Sequence, residues 1–557
     1  MAAPRRLALG LDFGSESARA LLVDVVTGEP AGRGAAAYEH GVMEDELAGG
    51  GPSLPPDFAL QVPGDYLDAL AAATSDALAS AGAAEQDVVG IGVDFTACTI
   101  LPVNKRLVPL CDAEEFRREP HAFVKLWKHH GANAEAAAIN DLARATNQPW
   151  LARYGGTTSS EWLLAKAWET LKRAPKVFDA ATRFVEASDW VVAQLTGVFA
   201  RGACAAGYKG LWHRRDGPPP PEFLRRLDPR LAGFFDPERG KARGEVVAAG
   251  TRVGGLTREW ARRLRLQEGL AVSAPIIDAH AAVPGAGVTK GGSLVAILGT
   301  SACHMLLFER EVVVPGIQGV VEDGILPGWF GYEAGQAAFG DTFDWFVEKL
   351  LGTPPSDRAH VHAELSRKAA KLPAGKSGLL VLDWWNGNRS ILVDPRLTGL
   401  IVGLTRATRP EEIYRALIEG AAFSTRRIVE NFVEHGVPID ELLACGGVAE
   451  KNELVLQLLA DVTGRRVVRV GSSEVCALGA AIFGAVAAGA PRGHATVSAA
   501  IEAMAARERS DVLPRTGETK MYELLYRRFE RLHDHFGRHF GSSDDVMPLL
   551  RELRGGE

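Results

Sequence analysis

The stretch LALGLDFGSESARALLVDVV (residues 7–26) joins two apolar runs through a short polar turn. Apolar runs of this length, interrupted by Gly and Ser, predict a strand, a tight turn and a second strand. The pattern returns in LVAILGTSACHMLLF (294–308), where aligning Gly14 with Gly299 places Ser15 over Thr300. We interpret the two stretches as an internal repeat, with one hairpin in each half of the chain.

Strand-like and helix-like segments alternate around these hairpins. Residues 88–93 and 272–277 are apolar runs that end at Asp94 and Asp278, whereas residues 66–79 and 410–434 have helical composition or periodicity. This alternation predicts an α/β fold that is repeated twice. A chain of 557 residues is too long for one hydrophobic core. We therefore predict two domains, 1–288 and 289–557.

Composition excludes several classes of partner. The net charge is -7, and acidic and basic residues are mixed along the chain, which argues against nucleic-acid and membrane binding. The six cysteines form no CxxC pair, so we expect reduced thiols. Neither a signal-length apolar stretch near the start nor a run of roughly 20 apolar residues is found. A reducing, cytoplasmic location is the expectation.

The turn of the first hairpin has the chemistry of a phosphate site. Small residues at Gly14, Ser15 and Ser17, with Glu16 between them, allow backbone N–H groups to surround phosphate oxygens. Asp12 is placed to hold the Mg²⁺ that accompanies phosphates, through water. A single turn of this kind is also typical of an ordinary hairpin. A second one, at Gly299, Thr300 and Ser301, favours a nucleotide held between two halves.

A third glycine-containing turn lies in ACGGVAEKN (444–452). The pattern predicts a strand, then Gly446 and Gly447, then a helix near Asn452. Glycines there permit close approach of a nucleotide near a helix N-terminus, although an ordinary strand-to-helix turn has the same pattern. The spacing is neither that of a P-loop nor GxGxxG.

Together the three turns resemble the nucleotide-binding fold of sugar kinases, actin and Hsp70, and more narrowly the FGGY carbohydrate kinases. The resemblance runs from about residue 7 to 490. Segments that resemble the ribulokinase branch include GIGVDFTACTILPV (90–103), KLWKHH (125–130), AGYKGLWH (206–213) and LDWWNGNRS (382–390). It implies two RNase H-like domains with an active-site cleft between them, and ATP with Mg²⁺. It also implies phosphorylation of L-ribulose to L-ribulose 5-phosphate in L-arabinose catabolism, and it leaves a homodimer open.

The resemblance also assigns roles to individual residues. The family's catalytic base is a strand-end Asp, which corresponds to Asp278, and a carboxylate there accepts a proton from a sugar hydroxyl. An Asp at this position is also typical of a helix cap. The resemblance further implies sugar contacts at Trp127, Lys209 and Glu333.

Four further positions follow from the local pattern. Asp94 and Thr96 follow a strand and are expected to face the substrate, unless they form only a local turn. Gln336 and Asp341 are expected to line the cleft. The neighbouring residues His129 and His130 are predicted to lie at the surface rather than to bind a metal.

Three other functions stay open at this point. The first is a kinase for another ketose or polyol, such as xylulose or glycerol. The second is a nucleotide-binding protein of the actin or chaperone type, which would keep both phosphate turns without needing Asp278. The third is a regulator built on a kinase fold, which would need an added DNA-binding segment.

Overall fold

The computed structural model describes residues 5–472, 474–538 and 546–555. Within these ranges the strands are β1 (Leu7–Phe13), β2 (Ser17–Asp24), β3 (Pro30–Ala37), β4 (Leu60–Gln61), β5 (Val88–Phe95), β6 (Ile100–Val103), β7 (Val124–Lys125), β8 (Arg183–Glu186), β9 (Arg201–Gly202), β10 (Val246–Val247), β11 (Arg252–Gly255), β12 (Ala271–Ser273), β13 (Ile276–Ile277), β14 (Gly292–Leu298), β15 (Ala302–Phe308), β16 (Gly319–Glu322), β17 (Phe330–Gln336), β18 (Leu380–Leu382), β19 (Leu400–Val402), β20 (Ile439–Cys445), β21 (Arg466–Val470) and β22 (Arg509–Val512).

The helices of the same ranges are α1 (Pro63–Ala81), α2 (Asn133–Ala145), α3 (Leu163–Arg173), α4 (Pro175–Ala180), α5 (Ala187–Thr196), α6 (Ala203–Tyr208), α7 (Pro221–Leu227), α8 (Arg258–Leu264), α9 (Asp278–Gly285), α10 (Gly340–Trp345), α11 (Arg358–Ala369), α12 (Pro410–Glu434), α13 (Gly447–Lys451), α14 (Glu453–Thr463), α15 (Val475–Ala488), α16 (Val497–Met504), α17 (Thr516–Arg538) and α18 (Val546–Gly555). None of these helices combines the length and the apolar character that a membrane span requires.

Two seven-stranded sheets share one plan. The first has the order β11-β12-β5-β1-β2-β3, with β13 also beside β5, and the second has the order β22-β21-β20-β14-β15-β17-β16. In each sheet the predicted hairpin, β1–β2 or β14–β15, is antiparallel, and its first strand pairs in parallel with β5 or β20. The internal repeat inferred from the two hairpin sequences is therefore present as a repeated sheet.

The two sheets meet across a shared core. Helix α15, which follows the strands β20 and β21 of the second sheet, packs on β1 and β5 of the first sheet and on α9. One buried apolar cluster contains Leu21 of the first sheet, Val295 and Leu443 of the second, and Leu478 of α15. The division expected near residue 288 falls between α9 and β14. The domain boundary itself stays a prediction. Helix α15, from the second half, packs on the first sheet across this division.

A separate segment of the first half carries its own core. The strands β4, β6, β7 and β8 form a four-stranded sheet, and α3 packs beside α2 and α4. Its apolar cluster includes Trp150, Trp162 and Trp168. Because Trp127 follows β7 by two residues, this segment fixes the position of one residue expected to contact sugar.

Glycines allow α15 to approach the first sheet at backbone distance. A Cβ built at Gly92 of β5 would lie 1.7 Å from the carbonyl oxygen of Ala480, and one at Gly10 of β1 would lie 1.9 Å from that of Ala477. Both distances are far below a van der Waals contact, so any side chain there must displace the helix.

We expect Gly92→Ala to lower the free energy of unfolding by about 1–3 kcal/mol, because the added methyl group forces α15 away from β5. Thermal unfolding followed by circular dichroism measures the loss. Gly64→Ala is the matched control, since a Cβ at Gly64 meets no atom within 4 Å and the residue lies in the first turn of α1. Equal melting temperatures for the two variants would contradict the packing argument.

Candidate active site

Three carboxylates converge at the carboxyl ends of neighbouring strands. Asp12 of β1 and Asp94 of β5 are register partners, and Asp278 begins α9 directly after β13, which also pairs with β5. Both oxygens of Asp94 are buried without a hydrogen-bond partner among the described residues. Asp12 accepts a hydrogen bond from Arg19 at 3.2 Å. The strand ends predicted from sequence are therefore brought together in one acidic group.

Burial and mutual repulsion keep these carboxylates from ionising as easily as usual. Burial, followed by the charges of Asp12 and Asp278, raises the pKa of Asp94 well above its ordinary value. Burial also raises the pKa of Asp12, although Arg19 opposes the change. Burial and then Asp12 raise the pKa of Asp278 to about 7. A carboxyl group with such a pKa can exchange a proton near neutral pH.

The first hairpin turn is held by bonds to its carbonyl groups. The Gly14 N–H donates to the Ser17 carbonyl at 3.0 Å, and the Ser15 carbonyl accepts from the Gln61 amide at 2.7 Å. Glu16 is exposed. The Ser15 hydroxyl accepts a hydrogen bond of 2.9 Å from Trp127 Nε1. Since a hydroxyl that accepts still carries its own proton, Ser15 retains a donor for a ligand.

The second turn lies against the starts of two helices. The Gly299 N–H donates to the Ser301 carbonyl, and the Gly340 N–H at the start of α10 donates to the Gly299 carbonyl, each at 3.0 Å. Gly446 immediately precedes α13 with φ 90°, and a Cβ there would lie 2.7 Å from the Leu298 carbonyl oxygen. The structure thus brings the second and third glycine turns together.

Some residues around this second turn are exposed, and others are held by hydrogen bonds. Thr300 and Gly447 are both exposed. Asn452 lies between α13 and α14, where its amide donates to the Ser366 hydroxyl at 3.1 Å. Asp341, in the first turn of α10, accepts a hydrogen bond from the Phe339 N–H at 3.0 Å. Small exposed groups at a helix start are suited to phosphate binding.

Lys209 and Glu333 form a buried ion pair that joins the two halves. Lys209 Nζ lies 2.9 Å from Oε1 and 2.8 Å from Oε2 of Glu333, and the two residues are only 4% and 2% exposed. Arg389 Nη2 donates to Glu333 Oε1 at 2.7 Å, and His280 Nε2 lies 3.5 Å from Oε2. Although burial acts to raise it, Lys209, His280 and Arg389 lower the pKa of Glu333 to about 2.

Arg389 is a site residue that the sequence analysis missed. It lies in the segment LDWWNGNRS, whose resemblance to the family concerns the segment as a whole, and its side chain is 30% exposed. The segment is anchored at Asp383, which accepts from Gln336 at 2.9 Å, and at Ser390, which donates to Gln318 at 2.7 Å. Arg389 is the one basic residue in this apolar and amide-rich segment, and that feature could have indicated a site residue.

The structure bears on two further expectations. Gln336 is buried, its amide donates to the Ala421 carbonyl and its oxygen accepts from Thr425, each at 2.9 Å, and its place along the cleft stays a prediction. The surface position predicted for His129 is wrong. This ring is fully buried and lies 2.9 Å from Glu169, because the turn after β7 folds into the core of the inserted segment.

The remaining expected sugar contacts lie close to the first turn. Trp127 is 38% exposed while its indole nitrogen binds Ser15. Thr96 follows β5, its N–H donates to the Phe13 carbonyl, and its hydroxyl lies 2.9 Å from that of Thr99. The structure thus combines a half-exposed aromatic face, buried charges and strand-end carboxylates.

The chain is similar to known carbohydrate kinases in sequence. Residues 294–488 match the C-terminal domain of the FGGY family of carbohydrate kinases. A ribulokinase from Geobacillus thermodenitrificans (strain NG80-2) is 48% identical over 556 residues, covering 99% of this chain and 97% of the relative. A ribulokinase from Mycolicibacterium smegmatis is 44% identical over 555 residues, covering 98% of this chain and 95% of the relative.

Solved structures share the fold at much lower identity. A xylulose kinase from Rhodospirillum rubrum superposes with a TM-score of 0.78 at 21% identity, covering 95% of this chain and 99% of that chain. A gluconate kinase from Lactobacillus acidophilus gives a TM-score of 0.79 at 16% identity, covering 96% and 98%. These likenesses concern the fold alone, and they confirm the expected α/β class with two actin-like domains.

We expect Lys209→Met to lower the free energy of unfolding by about 3 kcal/mol at neutral pH, because it leaves the Glu333 carboxylate buried with less compensation. Arg389 remains as a partner, which keeps the loss at the lower end of the range for broken buried pairs. Thermal unfolding of the variant beside the unmodified protein measures it. The double variant Lys209→Met/Glu333→Gln is the control and should recover part of the loss.

The Lys209–Glu333 pair also predicts how the stability lost in Lys209→Met depends on pH. The folded pKa of Glu333, about 2, lies below its ordinary value of 4.5. Its stabilisation is therefore present above the ordinary value and lost as pH falls toward 2. The difference in stability between the unmodified protein and Lys209→Met should shrink over that range. A difference that stays constant down to about pH 3 would contradict this account.

Proposed function

The chain belongs to the FGGY family of carbohydrate kinases and is an ATP-dependent sugar kinase, and on that premise we propose that it phosphorylates L-ribulose to L-ribulose 5-phosphate. The observation that carries the choice of sugar is the similarity to ribulokinases at 44–48% identity over nearly the whole chain. The xylulose and gluconate kinases share only the fold. Family membership also removes the basis for a non-enzymatic nucleotide-binding protein.

Asp278 is the proposed general base. As the 5-hydroxyl oxygen of the ketose attacks the γ-phosphorus of ATP, its proton passes to the Asp278 carboxylate. The bond from the γ-phosphorus to the bridging oxygen breaks, and its electron pair leaves with ADP. The Ala279 N–H donates to Asp278 Oδ1 at 2.7 Å, which fixes the carboxylate and leaves Oδ2 for the proton. A pKa of about 7 makes this group a better base than an ordinary Asp.

The two glycine turns are the proposed sites for the phosphates of ATP. In the first half, Ser15, Glu16 and Ser17 supply backbone N–H groups and hydroxyls, and Gly14, whose own N–H bonds the Ser17 carbonyl, permits close approach. In the second half, Thr300 and Ser301 supply such groups beside Gly446 and Gly447, and Gly299, whose own N–H bonds the Ser301 carbonyl, permits close approach there. Asn452 is proposed to contact the nucleotide from the junction of α13 and α14. Positioning by such groups accounts for much of the rate acceleration in phosphoryl transfer.

The acidic group fits the divalent cation that accompanies ATP. Asp12 and Asp94 offer carboxylate oxygens, and those of Asp94 are buried without a partner among the described residues. Hard oxygen donors of this kind suit Mg²⁺, so we propose that Asp12 holds it through water. Bound Mg²⁺ supplies neutralisation of the charge on the phosphate oxygens. Arg19 beside Asp12 limits the repulsion between these carboxylates.

Sugar recognition is assigned to groups of different character. Trp127 offers an aromatic face for the C–H side of the ketose, and Asp94 and Thr96 lie at the adjoining strand end. Lys209 and Glu333 are already bonded to each other, so they form a rigid polar platform for hydroxyl groups. A polar contact left unpaired by the wrong stereoisomer rejects it more strongly than an apolar contact does.

The domain organisation, location and partners of the protein are proposed on the same basis. We propose that residues 1–288 and 289–557 act as two domains that close on the substrates. We also propose a cytoplasmic location, which is supported by six free thiols. The ketose acceptor and ATP are the proposed partners.

We expect Asp278→Asn to reduce kcat on the order of 100- to 10,000-fold, because the amide cannot accept the hydroxyl proton. Binding of an ATP analogue should stay near that of the unmodified protein, since Asp278 belongs to neither phosphate turn. Steady-state kinetics and calorimetric titration with the analogue measure the two quantities. Near-normal turnover in the variant would remove Asp278 from the mechanism.

The pKa of Asp278 also sets the expected pH profile. The base must be ionised to act, so kcat/KM for the ketose should fall as pH drops through the pKa of Asp278, which burial raises above its ordinary value, and level off above that pKa. The profile is measured at saturating ATP, with denaturation checked at each pH. The residual activity of Asp278→Asn should lack this transition. A plateau that extends down to pH 5 in the unmodified protein would contradict the assignment.

The choice of sugar is tested with a panel of ketoses and polyols, with ATP and Mg²⁺ and with ADP release as the readout. We expect kcat/KM to be highest for L-ribulose, because the Lys209–Glu333 platform fixes one arrangement of hydroxyl groups. Glycerol and xylulose serve as the comparison substrates. If xylulose is phosphorylated as well as ribulose, the proposal reduces to a sugar kinase of broader specificity.

A further inference from the structure

Lys166 is a fully buried lysine whose three protons are all used by backbone carbonyl groups. It lies in α3 and has no exposed surface. Its Nζ donates to the carbonyl oxygens of Cys98 at 2.6 Å, Leu126 at 2.7 Å and Lys125 at 3.2 Å. An ammonium group has three donors, so this set satisfies it completely.

Two of these carbonyls belong to turns that carry proposed sugar contacts, and the third, that of Lys125, lies at the end of β7, just before the Trp127 turn. The Leu126 carbonyl is part of the peptide unit that leads into Trp127, so a bond to it fixes the plane from which the indole projects. The Cys98 carbonyl belongs to the turn that follows Thr96, and Cys98 itself adopts a left-handed conformation with φ 56°. Lys166 therefore ties these two turns to each other.

Helix α3 is held in place independently of the ligand. Lys125 Nζ donates to the Lys166 carbonyl at 3.2 Å and to Glu169 Oε2 at 2.7 Å. At the start of the helix, the Leu163 N–H donates to the Lys209 carbonyl at 3.3 Å. One helix thus contacts the turns of Trp127 and Thr96 and the backbone of Lys209.

The charge of Lys166 suits this arrangement at neutral pH. Burial lowers the pKa of Lys166 to about 8. Cys98, Glu161 and Glu186 act to raise this pKa, and Lys125 acts to lower it. At pH 7 the ammonium form, with three protons, is therefore the major form. Charge-assisted hydrogen bonds are stronger than neutral ones, so the contacts with the carbonyls are firm.

We propose that Lys166 is a positioning residue that fixes the Trp127 turn and the Thr96 turn in the geometry needed to bind the ketose. The inference rests on the proposed function, because it takes these two turns as walls of the sugar site. Lys166 itself contacts no reacting atom. Small displacements of binding groups weaken recognition steeply, so loss of this bond set should be visible in kinetics.

The test is Lys166→Met, which keeps the length of the side chain and removes its charge and donors. We expect KM for L-ribulose to rise about 10-fold or more, with kcat and KM for ATP changed by less than about threefold. Lys176→Met is the matched control, since Lys176 is exposed at the start of α4, and it should behave as the unmodified protein. A lysine that served only stability would reduce the amount of active enzyme and leave KM for the ketose unchanged, which would overturn the proposal.

A double-mutant cycle with Trp127→Ala checks the route of the effect. If Lys166 acts partly by placing Trp127, Lys166→Met should lower kcat/KM by a smaller factor in the Trp127→Ala background than in the unmodified protein. The two factors should differ at least about threefold. Strict additivity of the two changes would overturn the proposed link. Should Lys166→Met fail to fold, Lys166→Arg carries the test, with a displaced but charged donor and an intermediate rise in KM.

Two separate measurements decide the choice of sugar and the role of Lys166. The unmodified protein, assayed with the sugar panel, decides which ketose is phosphorylated. The ratio of KM values between Lys166→Met and the unmodified protein is then measured with that ketose, and it decides the role of Lys166 whichever sugar is accepted.

Discussion

The backbone contact between α15 and the first sheet is the constraint on which the site depends. Because Gly10 and Gly92 have no side chains, α15 lies directly on β1 and β5, the strands whose next-to-last residues are Asp12 and Asp94. The same helix packs on α9, whose first residue is Asp278. One close approach therefore places all three carboxylates and attaches the second sheet to the first.

Carboxyl groups of opposite acidity lie close together in this region, and neighbouring charges decide the direction. Burial, together with the charges of other acids, raises the pKa values of Asp94 and Asp278. Burial acts on Glu333 in the same direction, but Lys209 and Arg389 contact it directly and lower its pKa to about 2. The fold thus places a carboxyl group of raised pKa near a buried ion pair, the combination on which the proposed proton transfer and sugar recognition rest.

Much of the fold and part of the site were predictable, because both depend on local patterns. Apolar runs broken by Gly and Ser indicated both hairpins, and polar residues after apolar runs indicated that Asp94 and Asp278 end strands. The bond between Lys209 and Glu333 spans 124 residues, and no local pattern encodes such a distance. Arg389 was missed for the same reason, since its partner Glu333 lies on β17, 56 residues away.

The sequence by itself determined the strand-turn-strand repeats, the alternation that makes an α/β fold, and the residue types at the glycine turns, because these follow from period and local sterics. Only the tertiary structure decided which charged groups contact each other and which of them are neutralised. It also decided that Lys166 donates its hydrogen bonds to the two turns around Trp127 and Thr96. Those outcomes depend on distances between segments far apart in the chain and on how completely water is excluded, and neither quantity can be read from neighbouring residues.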